Sequence, residues 1–295
     1  MSLEPISELM RRARSENYAV GYFESWSIDS LYGVIDAAET MRSPVIIGFN
    51  GEFLSHPGRV VRERLALYGA LGKAAAEAAN VPCGFIFNEC AQDDWTKAAI
   101  EVGFNLVMPA DAAASIEDYT RRTAAIVALA HPRGVAVEAE IGELPFGSPD
   151  DESHGTAPTR AADAAAFVEA TGVDLMAVSV GNIHVALSGQ FDLDLASLKE
   201  IADAVPVPLV LHGGTGIAPE SLRAAIGLGV AKVNYGTYIK QRYLAALRGA
   251  ICTSERDPHV LLGLGSERDL LVVGRNAVRE AVLQRMHLLG SAGKA

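Results

Sequence analysis

Short apolar runs alternate with helix-like segments from one end of this chain to the other, and that alternation leaves few folds open. Strand-like runs are expected at Tyr18–Phe23, Pro44–Phe49, Cys83–Asn88, Asn105–Met108, Val135–Ile141, Leu175–Val180, Pro208–Leu211 and Ala231–Tyr235. Helices are expected between them: up to about Met41, then Arg59–Asn80, Asp93–Val102, Ile116–His131, Ala161–Thr171, Leu195–Ala204 and Pro219–Leu228, with terminal helices after the last run. The runs are apolar throughout, not alternating, as in parallel strands covered by helices. Eight such units predict a closed (β/α)8 TIM barrel. A doubly wound open sheet is the alternative, but no glycine-rich nucleotide turn follows the first run. The chain's 295 residues, 49% apolar, are within the usual size of one barrel, and no Pro/Gly/Ser-rich linker divides them. A single domain over residues 1–295, ending in C-terminal helices, is therefore expected.

In a barrel the chemistry gathers at the carboxyl ends of the strands. Here those ends carry Phe23-Glu24, Asn88-Glu89, Glu138 and Glu140, Asn182 to His184, His212 to Gly216, and Asn234 to Thr237. His184 and His212 are 28 residues apart, about one strand–helix unit, so they are expected on neighbouring strands and facing a common centre. That is how a barrel enzyme would hold a catalytic metal ion. A lone histidine after a strand is more often structural; two at matching strand ends favour the ligand reading. The Gly213-Gly214-Thr215-Gly216 run leads into a helix carrying Pro219 in its first turn, and exposed N–H groups at such turns bind anions. The simpler reading of those glycines is a strand–helix turn.

A net charge of −11 argues against non-specific nucleic-acid binding, which needs a basic face. Three cysteines without regular spacing form no disulfide framework. The first residues show no basic-then-apolar signal, and no apolar run reaches the length of a membrane span. A cytoplasmic protein with neither a nucleic-acid nor a membrane partner is expected.

Several blocks, in shared order and spacing, resemble the class II, zinc-dependent ketose-bisphosphate aldolases, especially their tagatose-bisphosphate branch. They are Phe167-Val-Glu-Ala-Thr-Gly-Val-Asp174, the Gly181–His184 turn, Val207-Pro-Leu-Val-Leu-His-Gly213 and Gly229-Val-Ala-Lys-Val-Asn234. Tyr18-Ala-Val-Gly-Tyr-Phe23, Met41-Arg-Ser-Pro-Val45, Val137-Glu-Ala-Glu-Ile-Gly142 and Gly290-Ser-Ala292 add support. The resemblance implies that His184 and His212 ligate a divalent metal, most simply Zn2+. Glu140 matches a family carboxylate near the metal, as an extra ligand or a support for one. Asn234 is implied to contact the dihydroxyacetone part of the substrate. Its phosphate is implied to lie against Thr237 and the backbone of Gly181, with Gly213, Gly214, Thr215 and Gly236 completing the cradle.

The chain departs from the family after the third strand, where a catalytic aspartate and a third zinc histidine are expected. It reads Phe87-Asn88-Glu89-Cys90 there. Glu89 with two imidazoles is still a metal-binding set, though less positive. Asn88 can hydrogen-bond an oxygen but cannot carry a proton. Asp150, Asp151 and Glu152, in the polar loop Gly142–Pro158, lie where the family keeps a catalytic glutamate. Asp151 and Glu152 are taken with Asn88 as the catalytic candidates, and His154 is another possible proton carrier. The bland alternative is a solvated loop. The family's glycine and lysine after the second zinc histidine are also missing from Val185-Ala-Leu-Ser-Gly189, so the mouth is less basic than a bisphosphate would prefer.

The resemblance thus implies a metal-dependent lyase that cleaves or forms a C–C bond of a phosphorylated ketose through a metal-stabilised enediolate. A metal-dependent isomerase, epimerase or decarboxylase on a sugar phosphate, or a barrel that binds sugar phosphate without catalysis, are the alternatives. A homodimer or homotetramer is implied, with the terminal helices as the expected contact surface.

Overall fold

Each apolar run becomes a strand because neighbouring strands and helices cover both of its faces. The structure, a computed structural model, describes residues 2–142, 146–147, 158–183, 185–186, 189–251 and 255–295. In chain order the first half holds α1 (Ile6–Ser15), β1 (Val20–Glu24), α2 (Ile28–Met41), β2 (Val45–Asn50), α3 (Gly51–Ser55), α4 (Leu65–Ala78), β3 (Cys83–Cys90), α5 (Asp93–Glu101), β4 (Leu106–Pro109), α6 (Ile116–Ala130) and β5 (Ala136–Ile141). The second half holds β6 (Phe146–Gly147), α7 (Ala161–Thr171), β7 (Leu175–Val178), β8 (Val185–Ala186), α8 (Leu195–Ala204), β9 (Leu209–Leu211), α9 (Pro219–Gly227), β10 (Val230–Tyr235), α10 (Thr237–Ile251), α11 (Pro258–Leu261) and α12 (Leu270–Leu289). Eight parallel strands close in the order β1-β10-β9-β7-β5-β4-β3-β2, the expected (β/α)8 barrel, while β6 and β8 pair apart from it.

Two apolar layers hold the barrel. Outside it, strand side chains meet the helices, as where Phe85 stacks on Phe104 with ring centroids 4.0 Å apart. Inside it, Ile46, Ile86, Leu106, Leu175 and Val210 pack on one another, and α1 closes the amino end with Ile6, Leu9, Met10 and Ala13. These four sit at three- and four-residue spacing, a helical stripe that the strand count passed over. The carboxyl end stays open and polar. Ser27 caps α2 there, in a reciprocal capping box with Ser30.

The C-terminal helix belongs to this architecture. α12 packs against α2 and α10, and the Leu289 carbonyl accepts from the Ala19 N–H at 3.0 Å. Gly33 makes the approach possible, since a Cβ there would lie 2.5 Å from the Arg275 carbonyl oxygen. Among the described residues no helix is long and apolar enough to cross a membrane.

Two of the element boundaries that differ from expectation have plain physical reasons. α4 begins at Leu65, not Arg59, because Val60 and Val61 are 101% and 70% exposed and have no core to face. β3 runs on to Cys90 because its end carries a register shift between Phe87 and Cys90, with Glu89 in left-handed backbone at φ 52°. Such bulges re-aim a side chain beside an active site.

Candidate active site

His212 follows directly on β9, and its ring is fully buried at the open end of the barrel. The Asn182 amide ties the ends of two neighbouring strands, donating to the His212 carbonyl at 3.1 Å and to the Val178 carbonyl at 3.2 Å. The imidazole lies among three carboxylates. Nε2 is 3.0 Å from Glu138 Oε1; Nδ1 is 3.0 Å from Glu89 Oε1 and 3.6 Å from Glu140 Oε2. Glu138 and Glu140 alternate on β5 and so share its inner face, as pleating requires. Glu89 reaches the cluster through the bulge in β3, and Asn50 Nδ2 donates to its other oxygen at 2.7 Å.

One fully buried ammonium meets this cluster among the described residues. Lys232 Nζ on β10 lies 2.8 Å from Glu138 Oε2 and donates to Asn234 Oδ1 at 2.6 Å. Its ammonium also lies 5.2 Å from the centre of the Tyr22 ring. Burial draws the Lys232 ammonium below its ordinary value, with Glu138 opposing. Burial opposes ionisation of Glu138, but Lys232 and His212 outweigh it and hold that carboxyl low. For His212 burial works downward, yet Glu140, Glu138 and Glu89 together lift the imidazolium to about 10. Burial, then Glu24, Glu89 and Glu138, raise the Tyr22 phenol well above its usual range, so it keeps its proton.

The donor set suits a divalent cation. Glu89, Glu138 and Glu140 bring three carboxylates around one imidazole, with the Lys232 ammonium beside Glu138. Nε2–H is given to Glu138, so a metal that displaced the Nδ1 proton would meet that nitrogen beside Glu89 and Glu140, the arrangement in which a carboxylate orients a metal-binding histidine. Among the described residues no three His, Cys, Asp or Glu side chains complete a ligand set. The fourth expected member, His184, lies outside the described residues, as do Asp150, Asp151, Glu152 and His154 of the polar loop.

The cavity above His212 is lined by Tyr22, Asn88, Glu89, Gly213, Thr215 and Asn234, and on its α10 side by Gly236 and Thr237. α10 starts at Thr237, so its unpaired N–H groups and positive dipole end face this space. Gly214 departs from the expected cradle. Its N–H donates to the Asn234 carbonyl at 3.1 Å, and a Cβ would strike the Tyr235 ring, so it serves strand packing. Gly181 sits at φ 92° beyond β7, with the backbone of Asp192 to Asp194 beside it, and it is not part of the cavity wall. Two positions unsuspected from sequence also face the mouth: Lys240, paired with the buried Glu24, and Phe53, whose ring centre lies 4.2 Å from Lys240 Nζ.

Comparison with known proteins sets this geometry in context. A family model described as "Fructose-bisphosphate aldolase class-II" matches residues 4–294. The chain is 32% identical over 298 residues to a fructose-bisphosphate aldolase of Geobacillus stearothermophilus, covering 100% of this chain and 99% of the relative. It is 30% identical to a 6-phospho-5-dehydro-2-deoxy-D-gluconate aldolase of Halalkalibacterium halodurans, covering 100% and 99%. The crystal structure of the YdjI aldolase from Escherichia coli K12 superposes with a TM-score of 0.83 at 32% identity, covering 99% of each chain.

Proposed function

The chain belongs to the class-II fructose-bisphosphate aldolase family, and from that membership we propose that the mouth of its barrel cleaves and forms a C–C bond of a phosphorylated ketose. The observation that carries this reading is the meeting of Glu89, Glu140 and the His212 Nδ1 edge above the Glu138–Lys232 pair. His212, Glu89 and His184 would hold a divalent metal, most simply Zn2+, with Glu140 as a further ligand or support. Bound there, the metal supplies positive charge beside a ketone oxygen and its neighbouring hydroxyl.

The other steps fall to the chain's own groups. Asn234 is positioned to donate from its amide nitrogen to the dihydroxyacetone end of the substrate. The backbone at Gly213, Thr215 and Gly236, with Thr237 at the start of α10, receives the phosphate. Cleavage removes a hydroxyl proton from the leaving half and delivers a proton to the carbon left behind. Asn88 holds an oxygen in this account but carries neither proton. The carriers are assigned to Asp151 and Glu152. Three features complete the reading: a homo-oligomer, a cytoplasmic location and a phosphorylated sugar as sole partner. Family relatives named for different sugar acids and sugars keep the sugar itself open to assay.

The test is release of triose phosphate from a panel of ketose phosphates by protein loaded with zinc, cobalt or manganese. Release from at least one sugar supports the assignment, and none with any metal ends it. The amide at Asn88 favours a second reading, enolisation without cleavage. Deuterium entering a ketose phosphate with no triose released would select it.

A further inference from the structure

Three polar atoms in the cavity wall are buried without a hydrogen-bond partner: the Tyr22 hydroxyl, the Asn234 amide nitrogen and the Asn88 amide oxygen. Native structures leave few such atoms, because each forfeits its bonds to water. Three on residues that line one cavity point to a ligand able to satisfy two donors and one acceptor. Tyr22 and Asn234 are register partners on the paired strands β1 and β10. Their side chains therefore rise from the inner wall side by side. Lys232 holds both: it donates to Asn234 Oδ1 at 2.6 Å, which turns the amide nitrogen the other way, and its ammonium lies against the Tyr22 ring. The ring is 2% exposed, so the hydroxyl has a set direction.

We propose that Tyr22 is a substrate-contacting residue, its hydroxyl paired with the Asn234 amide nitrogen as two donors to the substrate oxygen on which negative charge develops. Asn88 Oδ1 accepts from the adjacent substrate hydroxyl. The inference rests on reading the barrel mouth as an aldolase site. Tyr22 donates a hydrogen bond and transfers no proton. Two donors fixed on rigid strands meet the charge without reorganising, which is where such groups are most effective. Nothing in the sequence singles the position out, because its neighbours in the run are apolar.

The test is Tyr22→Phe in the full-length, cobalt-loaded protein, which keeps the ring and removes only the hydroxyl. Three quantities are measured: deuterium exchange into dihydroxyacetone phosphate, 2-phosphoglycolate affinity and the thermal midpoint. Exchange should slow roughly 100-fold, phosphoglycolate should bind roughly tenfold more weakly, and the thermal midpoint should hold or rise. In an Asn234→Ala background the effect of Tyr22→Phe should shrink, since both groups hold one oxygen. Exchange and affinity within about twofold of the wild type would overturn the proposal, as would a loss accompanied by a lower thermal midpoint. If the wild-type protein binds phosphoglycolate but does not exchange, the aldolase reading fails, and the change in affinity still decides for or against Tyr22. A wild type that does neither overturns both.

Discussion

Glu138 Oε1 lies 3.0 Å from His212 Nε2, and both side chains are fully buried. The same carboxylate holds Lys232, which in turn holds Asn234, so one ion pair orients an imidazole on one side and an amide on the other. Removing Lys232 alone would leave the buried Glu138 short of one of its two charged partners, at a cost of up to about 3–5 kcal/mol. The balanced double change Glu138→Gln with Lys232→Met should fold. Its cobalt affinity, read by titration of metal-free protein, should fall about 10- to 100-fold. Unchanged affinity would show that His212 needs no such support.

Glu89 lies in left-handed backbone that an ordinary side chain adopts only under constraint. Glu89→Gln preserves size and can still accept from Asn50, but loses the charge. Metal affinity should drop by about tenfold or more, and the metal-free protein should melt somewhat lower near neutral pH, since Glu89 is one of the carboxylates that hold the His212 imidazolium. Glu89→His should keep metal binding if the backbone there accommodates an imidazole. Both follow from equilibrium titration with zinc.

The metal-free protein should lose stability as pH rises from about 7 to 10. His212 in the folded state has its value raised to about 10, above that of an unfolded histidine. Its contribution is therefore complete below about pH 6.5 and disappears as pH passes the folded value. The slope is at most about 1.4 kcal/mol per pH unit from this one group. Thermal melts across that range read it directly. With zinc bound the proton has already been displaced from Nδ1, so the slope should flatten.

Gly33 sets how closely α2 and α12 approach. Gly33→Ala would push a methyl group against the Arg275 carbonyl and Val278. The expected cost is about 1–3 kcal/mol, read as a lower midpoint in urea with an unchanged slope. Because Leu289 of α12 also accepts from Ala19, the residue just before β1, a larger loss would show that the terminal helix is integral to barrel closure.

How much of this was legible beforehand depends on what each residue's position rests on. Uninterrupted runs such as Val45–Asn50 announce buried parallel strands, and eight of them leave a barrel as the economical arrangement. His212 was legible because it ends such a run and is followed by glycine. α1 was not, since its apolar stripe over Ile6, Leu9, Met10 and Ala13 is short and precedes the first strand. Lys232 gave a signal, a lysine inside an aliphatic run, but its meaning needs Glu138, which lies 94 residues away in the chain. Gly214 misled because a glycine that avoids a tyrosine ring looks the same in sequence as one that cradles phosphate. The aim of Glu89 rests on a bulge, and a bulge leaves no mark in apolar patterning.

Crystals soaked in zinc, with anomalous diffraction collected at the zinc edge, put the central claim to its most direct trial. The expected map shows one ion bound by His212 Nδ1 and a Glu89 carboxylate oxygen at about 2.0–2.2 Å, with Glu138 still on Nε2. An ion held elsewhere, or a Glu89 side chain turned out of the mouth with His212 unligated, would contradict it.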